Sequence, residues 1–96
     1  MTQHKKTSAT ALARALDIPK ARGLEAVIKA QLISAVLHEA EHRSLTHAQL
    51  ATRSGLSRSA VTGILSGSLQ QVTIDRVLRL VEAAGLEAEV KVRRAA

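Results

Sequence analysis

Three short segments between residues 46 and 85 are each framed by a residue that starts a helix and a glycine that ends one. The starting residues are Thr46, Ser57 and Thr73, and the glycines are Gly55, Gly67 and Gly85. A hydroxyl at the first position accepts a hydrogen bond from an amide of the first turn, and glycine adopts the left-handed conformation that closes the last turn. Gln49 gives Thr46 the spacing of a capping box. This half of the chain is therefore restricted to three short helices, the second over 58–66 and the third over 74–84.

A longer helix is predicted upstream of these three. It begins at Pro19 or just past Gly23, because proline suits the first helical position, and it runs to about His42. Its apolar residues cover more than one narrow stripe; they are Leu24, Val27, Ile28, Leu32, Ile33, Val36, Leu37 and Ala40. One face can pack on the rest of the domain, and a second face can pack on another chain or a partner.

The two ends of the chain differ from this helical middle. Residues 1–18 are predicted to form a basic arm with a short helix over Ser8–Leu16, which leaves 19–96 as one small domain. After Gly85, apolar residues alternate with charged ones, as in a half-buried strand over 86–93; the apolar positions are Leu86, Ala88, Val90 and Val92. No second strand is predicted, so we expect two copies to pair antiparallel. The predicted fold is all-α, with about five helices and this one strand pairing across a homodimer.

Charge and composition restrict the partners of such a domain. The chain has no Phe, Tyr or Trp, which removes the aromatic platforms on which single-stranded nucleic acids stack. Its formal net charge is +6, and no Asp or Glu lies between Glu41 and Asp75, a window that contains Arg43, Arg53 and Arg58. A basic surface of this kind attracts duplex DNA, although the same charge also serves solubility.

The segment from His47 to Leu65 meets the mechanical requirements of a helix-turn-helix. Two steeply crossed helices need a small residue where they touch, a permissive residue in the turn, and apolar residues that hold the second helix from inside. The residues that fill these positions are Leu50, Ala51, Gly55, Leu56, Val61 and Ile64, and Leu45 and Leu65 complete the inward faces. A helix held in this way can enter the major groove of duplex DNA.

The opposite face of the second helix is polar and supplies the predicted DNA contacts. The predicted base-contacting residues are Arg58, Ser59, Thr62 and Gly63. Arg58 lies in the first turn and offers a bidentate donor pair to guanine O6 and N7. The predicted phosphate-contacting groups lie at helix starts and in the loop after the second helix; they are Thr46, His47, Ser57, Ser66, Ser68, Gln70 and Gln71.

The run LTHAQLATRSGLSRSAVTGILSGSLQQVTIDRVLRL, from Leu45 to Leu80, resembles the Xre family of lambda-repressor-like regulators. Ser66-Gly67 and the Thr73 cap match the pattern of that family after its recognition helix. The upstream segment KAQLISAVL and the tail AAGLEAEVKV are similar to the branch that includes HigA-type antitoxins, so the resemblance covers roughly residues 16–92.

The resemblance implies base readers at Arg58, Ser59 and Gly63, and phosphate contacts at His47 and Ser66. Family members often have Gln at the positions of Arg58 and Ser59, and a long polar residue at the position of Gly63. The choice of bases therefore does not transfer from the family. Gly63 has two interpretations. It is either a tolerated substitution without a role in binding, or a position where the backbone approaches DNA closely.

The segment His38-Glu39-Ala40-Glu41-His42 matches H-E-x-x-H, a pattern that on a helix can hold zinc and a general base. A catalytic zinc usually needs a third protein ligand, and only His4 and His47 remain among the histidines. An ordinary polar helix end is the favoured interpretation, with adventitious metal binding and catalysis as alternatives. We therefore expect no enzyme activity, no cofactor and no metal site.

Two functions fit these patterns. One is a repressor that binds a palindromic double-stranded operator as a homodimer. The other is an antitoxin that uses residues 1–33 to neutralise a cognate toxin and DNA binding to regulate its own operon. The chain has no cysteine, no export signal and no run long enough to cross a bilayer, which predicts a cytoplasmic protein without membrane contact.

Overall fold

Four helices account for the regular structure of the chain over residues 20–67 and 72–95, which the computed structural model describes. They are α1 (Lys20–His42), α2 (His47–Ser54), α3 (Arg58–Leu65) and α4 (Ile74–Ala83). The prediction of an all-helical domain is confirmed for these residues. The predicted arm over 1–18, its short helix Ser8–Leu16, and the loop residues Ser68, Gln70 and Gln71 lie outside the described part.

Hydroxyl groups start each of the three short helices. Thr46 Oγ1 accepts from the Gln49 amide at 3.0 Å, and the Gln49 side chain accepts from the Thr46 amide at 2.8 Å, which completes the capping box. Ser57 and Thr73 accept first-turn amides of α3 and α4 in the same way. Each cap satisfies an amide that has no partner inside its helix, so the helix starts follow from local sequence.

Left-handed residues end the helices. The φ angle is 79° at Gly55, 102° at Gly67 and 80° at Gly85. The end of α1 has no glycine, and Ser44 adopts φ 55° instead. The next residue, Leu45, donates its amide to the Ala40 carbonyl at 2.8 Å and packs on the core. Packing of that leucine stabilises a backbone conformation that serine adopts only at a cost.

The core lies where α1 meets α4 and where α2 meets α3 and α4. Its buried residues are Ile33, Val36, Leu50, Val61, Ile64, Leu65, Val72, Val77, Leu80, Val81, Ala83 and Ala84. All of them are aliphatic, because the chain has no aromatic residue. Small aliphatic side chains let the helices pack closely. The residues of each helix that fill this core determine how that helix is rotated about its axis.

α1 buries only part of its apolar circumference. Ile33 and Val36 enter the core, whereas Leu24, Ile28 and Leu37 remain 47%, 38% and 42% exposed. The exposed residues do not form one face: Leu24 and Ile28 lie one turn apart on the same side of α1, whereas Leu37 lies on the other flank of the Ile33 and Val36 stripe. Despite this composition, none of the helices in the described ranges is long and apolar enough to span a membrane.

The C-terminal segment differs from its prediction. Residues 86–95 form no strand, and the described ranges contain four helices without a strand in place of about five helices and one strand. Leu86 packs on the core, but Ala88 is exposed, and Val90 and Val92 are 84% and 90% exposed. The physical reason is that a strand needs a neighbour for its backbone N–H and C=O groups, and the described part of the chain supplies none.

Two glycines provide a matched test of the turn between α2 and α3. A Cβ at either Gly55 or Gly63 would meet nothing within 4 Å, but only Gly55 has a positive φ. We expect Gly55→Ala to lower the free energy of unfolding by about 1 to 2 kcal/mol, the cost of a left-handed L-residue. We expect the control Gly63→Ala to raise it by up to about 1 kcal/mol, because alanine favours the helix. Urea denaturation of both variants measures the difference, and equal shifts would contradict the assignment of strain to Gly55.

Candidate nucleic-acid interface

The turn between α2 and α3 consists of Gly55, Leu56 and Ser57. The Gly55 amide donates to the Ala51 carbonyl at 3.0 Å, and the Leu56 amide donates to Ser54 Oγ at 3.2 Å. Ser54 thus satisfies a turn amide, a role that was not predicted from the sequence. These hydrogen bonds fix the conformation of the short turn that joins the two helices.

Burial of one face sets the rotation of α3. Val61 is completely buried, Ile64 is 3% exposed and Leu65 is 8% exposed. From α2, Leu50 is completely buried and Ala51 packs against the same core. The six residues predicted as the inner part of the motif thus lie in the core, in contact with it or in the turn. The polar side of α3 must face away.

The outer face of α3 carries the predicted base-contacting side chains. Arg58, Ser59, Thr62 and Ser66 are exposed, and Gly63 is half-buried. Within the described part of the chain, Arg58 makes no hydrogen bond or ion pair, whereas Arg79 on α4 is paired with Asp75 at 3.1 Å. Arg58 therefore keeps its guanidinium available for an external acceptor.

Two serine hydroxyls on this face are already engaged within the chain. Ser57 Oγ accepts from the Ala60 amide at 3.0 Å, which leaves its proton available to a phosphate oxygen. Ser66 Oγ donates to the Gly63 carbonyl at 2.9 Å, so its proton is used inside the helix. Ser66 would have to exchange that bond in order to donate to a phosphate.

The start of α2 lies beside the outer face of α3. His47 Nδ1 is 2.8 Å from Thr62 Oγ1, although the two residues are 15 positions apart. This hydrogen bond places a predicted phosphate-contacting residue next to a predicted base-contacting one. The amides of His47 and Ala48 also lie in the first turn of α2, where an intrahelical acceptor is lacking and an anion is favoured.

The basic window is divided between two places. Arg53 Nη1 donates to the Ala83 carbonyl at 3.3 Å, at the C-terminal end of α4. Arg43 pairs with Glu39 at 3.6 Å, and a Cβ at Gly85 would come within 3.2 Å of its Nη1. Both arginines therefore contribute cations near the end of α4, where the helix dipole favours them. Of the three arginines in the window, Arg58 alone lies on the outer face of α3.

The H-E-x-x-H segment occupies the end of α1. His38 and His42 are exposed, and Glu39 is engaged by Arg43. Over the described ranges, no group of three or more His, Asp or Glu side chains is placed to hold a metal ion.

Two helices joined by a three-residue turn, with an apolar inner side and a polar outer side, define a helix-turn-helix protein. The chain belongs to the helix-turn-helix domain family, whose sequence model matches residues 16–93. Searches among curated proteins and among solved structures found no match. Helix-turn-helix domains bind DNA, so the outer face of α3 is the candidate interface.

The cap of α3 can be tested with two neighbouring serines. Ser57 Oγ accepts a backbone amide, whereas the exposed Ser59 makes no hydrogen bond within the described residues through its side chain. We expect Ser57→Ala to lower the free energy of unfolding by about 1 kcal/mol. We expect Ser59→Ala to change it by less than about 0.5 kcal/mol. Thermal or urea unfolding measures both values, and an equal loss in the two variants would show that the cap contributes nothing.

Proposed function

We propose that the chain is a sequence-specific, double-stranded DNA-binding transcriptional regulator, a repressor that inserts α3 into the major groove. The observation that carries this proposal is the outer face of α3, where Arg58 is exposed in the first turn without a partner in the described chain. A first-turn arginine can reach a guanine edge with two parallel hydrogen bonds. The resemblance to Xre regulators supports the same role.

Charge supports this assignment. Neither α2 nor α3 contains an acidic residue, and the whole chain carries a formal charge of +6. A phosphate backbone approaching these two helices therefore meets hydroxyls, amides and cations without a carboxylate on them. Such a surface releases counterions from DNA when it binds, which makes affinity fall with salt.

We propose that the regulator is a homodimer that binds a palindromic operator in the cytoplasm. Val90 and Val92 are almost fully exposed in the single chain, and they alternate with Lys91 and Arg93. Antiparallel pairing of two such segments would satisfy both backbones and cover the valines. The same two-fold axis would relate two copies of α3.

An antitoxin is the second candidate, and the exposed side of α1 favours it. Leu24 and Ile28, one turn apart on the same side of α1, present apolar surface that the described part of the domain does not cover. A cognate toxin bound there would bury this surface, while the helix-turn-helix would regulate the operon. A neighbouring gene for a small basic ribonuclease, whose product co-purifies with this chain, would favour the antitoxin over a simple repressor.

We propose no catalytic function and no bound cofactor. Glu39, the residue that would act as general base in the H-E-x-x-H pattern, is 3.6 Å from the Arg43 guanidinium. The pattern therefore has an ordinary interpretation as the polar end of α1.

Base reading by Arg58 can be separated from its charge. We expect Arg58→Ala to weaken binding to the selected operator by about 1 to 3 kcal/mol and to relax the preference at one base pair. Arg79→Ala, which removes the same charge from the exposed face of α4, is the control and should leave the base preference intact. Fluorescence anisotropy on specific and random duplexes measures both variants. An equal loss of affinity for random DNA would show that Arg58 contacts only phosphate. Binding that does not weaken as salt is added would contradict the assignment of DNA binding.

Assembly through the C-terminal segment predicts different results for its two faces. Val90→Ser with Val92→Ser should shift a dimer towards monomer in sedimentation experiments, because the apolar face is lost. Lys91→Ser with Arg93→Ser should leave the dimer intact. In the palindromic operator of such a dimer, the centres of the two half-sites should lie about one turn of the DNA helix apart, roughly 34 Å, or a multiple of it. A protein that stays dimeric after truncation at Gly85 would place the interface on α1 instead.

A further inference from the structure

One hydrogen bond connects the two types of predicted DNA contact. His47 Nδ1 and Thr62 Oγ1 are 2.8 Å apart, with His47 half-buried at the start of α2 and Thr62 exposed on the outer face of α3. If α3 lies in the major groove, the start of α2 lies over the sugar-phosphate backbone. The inference below rests on that proposed function.

The chemistry of the imidazole ring determines which way this bond runs. A neutral imidazole has one N–H donor and one acceptor nitrogen, and a threonine hydroxyl has one proton. A phosphate oxygen only accepts hydrogen bonds, so Nε2 must carry the proton if it faces the backbone. In the neutral ring Nδ1 is then the acceptor, and the Thr62 hydroxyl, 2.8 Å away, donates the hydrogen bond to it.

We propose that His47 is a positioning residue for base recognition: by accepting a hydrogen bond from the Thr62 hydroxyl, it leaves Thr62 Oγ1 only as an acceptor towards DNA. The base facing Thr62 must then supply an amino group. In the major groove this group is adenine N6 or cytosine N4. Guanine O6 and N7 and thymine O4 offer acceptors alone and leave Oγ1 unpaired, which disfavours them.

The other polar groups of α3 are consistent with Thr62 acting as an acceptor. The Ser66 hydroxyl likewise donates its hydrogen bond within the helix, to the Gly63 carbonyl at 2.9 Å. Arg58, at the opposite end of the helix, has donors only. α3 therefore presents donors at its N-terminal end and acceptors further along. The expected half-site has a guanine opposite Arg58 and an amino-bearing base opposite Thr62.

Two substitutions of His47 separate its ring nitrogens. The side-chain amide of Asn reaches the position of Nδ1, and that of Gln reaches the position of Nε2. An operator is first selected with the wild-type protein from a random-sequence duplex library, and each half-site base pair is then replaced in turn. Affinities are measured for the wild type and for His47→Asn, His47→Gln, Thr62→Val and Thr62→Ser.

The expected pattern is specific to one base pair. Thr62→Val should lose about five- to tenfold of discrimination at that position, and Thr62→Ser should keep it. His47→Gln should lose the same discrimination while retaining most of its affinity. His47→Asn should keep the discrimination and bind every duplex more weakly by a common factor. In the complex, nitrogen NMR of His47 should show a protonated Nε2 and an unprotonated Nδ1.

Several results would overturn the inference. Both His47 variants could lower affinity by one factor on all duplexes and leave discrimination at the Thr62 position unchanged; His47 would then act on phosphate alone. Wild-type selection of guanine or thymine opposite Thr62, or a protonated Nδ1 in the complex, would reverse the direction of the bond. If the wild type selects no sequence from the library, the proposed function itself fails, and this result is seen before any variant is made.

Discussion

The interface depends on burial of one side of an eight-residue helix. Two turns of helix have little else to set their rotation, and successive residues point about 100° apart. Val61 is fully buried while its neighbour Thr62 is exposed, so a rotation of one residue would exchange them. That exchange would bury a hydroxyl and expose a valine, both of which cost free energy. The aliphatic core therefore determines which groups can meet DNA.

Helices as short as α2 and α3 also need help at their ends, because isolated helices of this length are marginal in water. Hydroxyl caps supply it at the starts. At the end of α4, the Arg53 guanidinium supplies it by binding the Ala83 carbonyl. The Arg53 contact shows that a basic residue near the motif also supports the fold, whereas Arg58 on the outer face of α3 has no partner in the described residues.

Features governed by local chemistry could be predicted from the sequence. The caps and glycines predicted helices over 58–66 and 74–84, and the structure has Arg58–Leu65 and Ile74–Ala83. Features that join distant residues could not be predicted. The bond from Arg53 spans 30 positions and that from His47 spans 15. The strand over 86–93 failed for a related reason, since alternation shows which faces a strand would have but does not supply the neighbour that it needs.

These long-range bonds connect the C-terminal segment to α3. Leu86, at the start of that segment, donates its amide to the Val81 carbonyl at 3.0 Å and packs on the core, which fixes where the segment leaves α4. Arg53 ties the same end of α4 to the end of α2. At its other end, α2 is bonded to Thr62 through His47. If two copies paired along this segment, Leu86 and these bonds would connect the paired residues to α3, and residues 87–95, which form no helix or strand in the single chain, would have to become ordered on pairing.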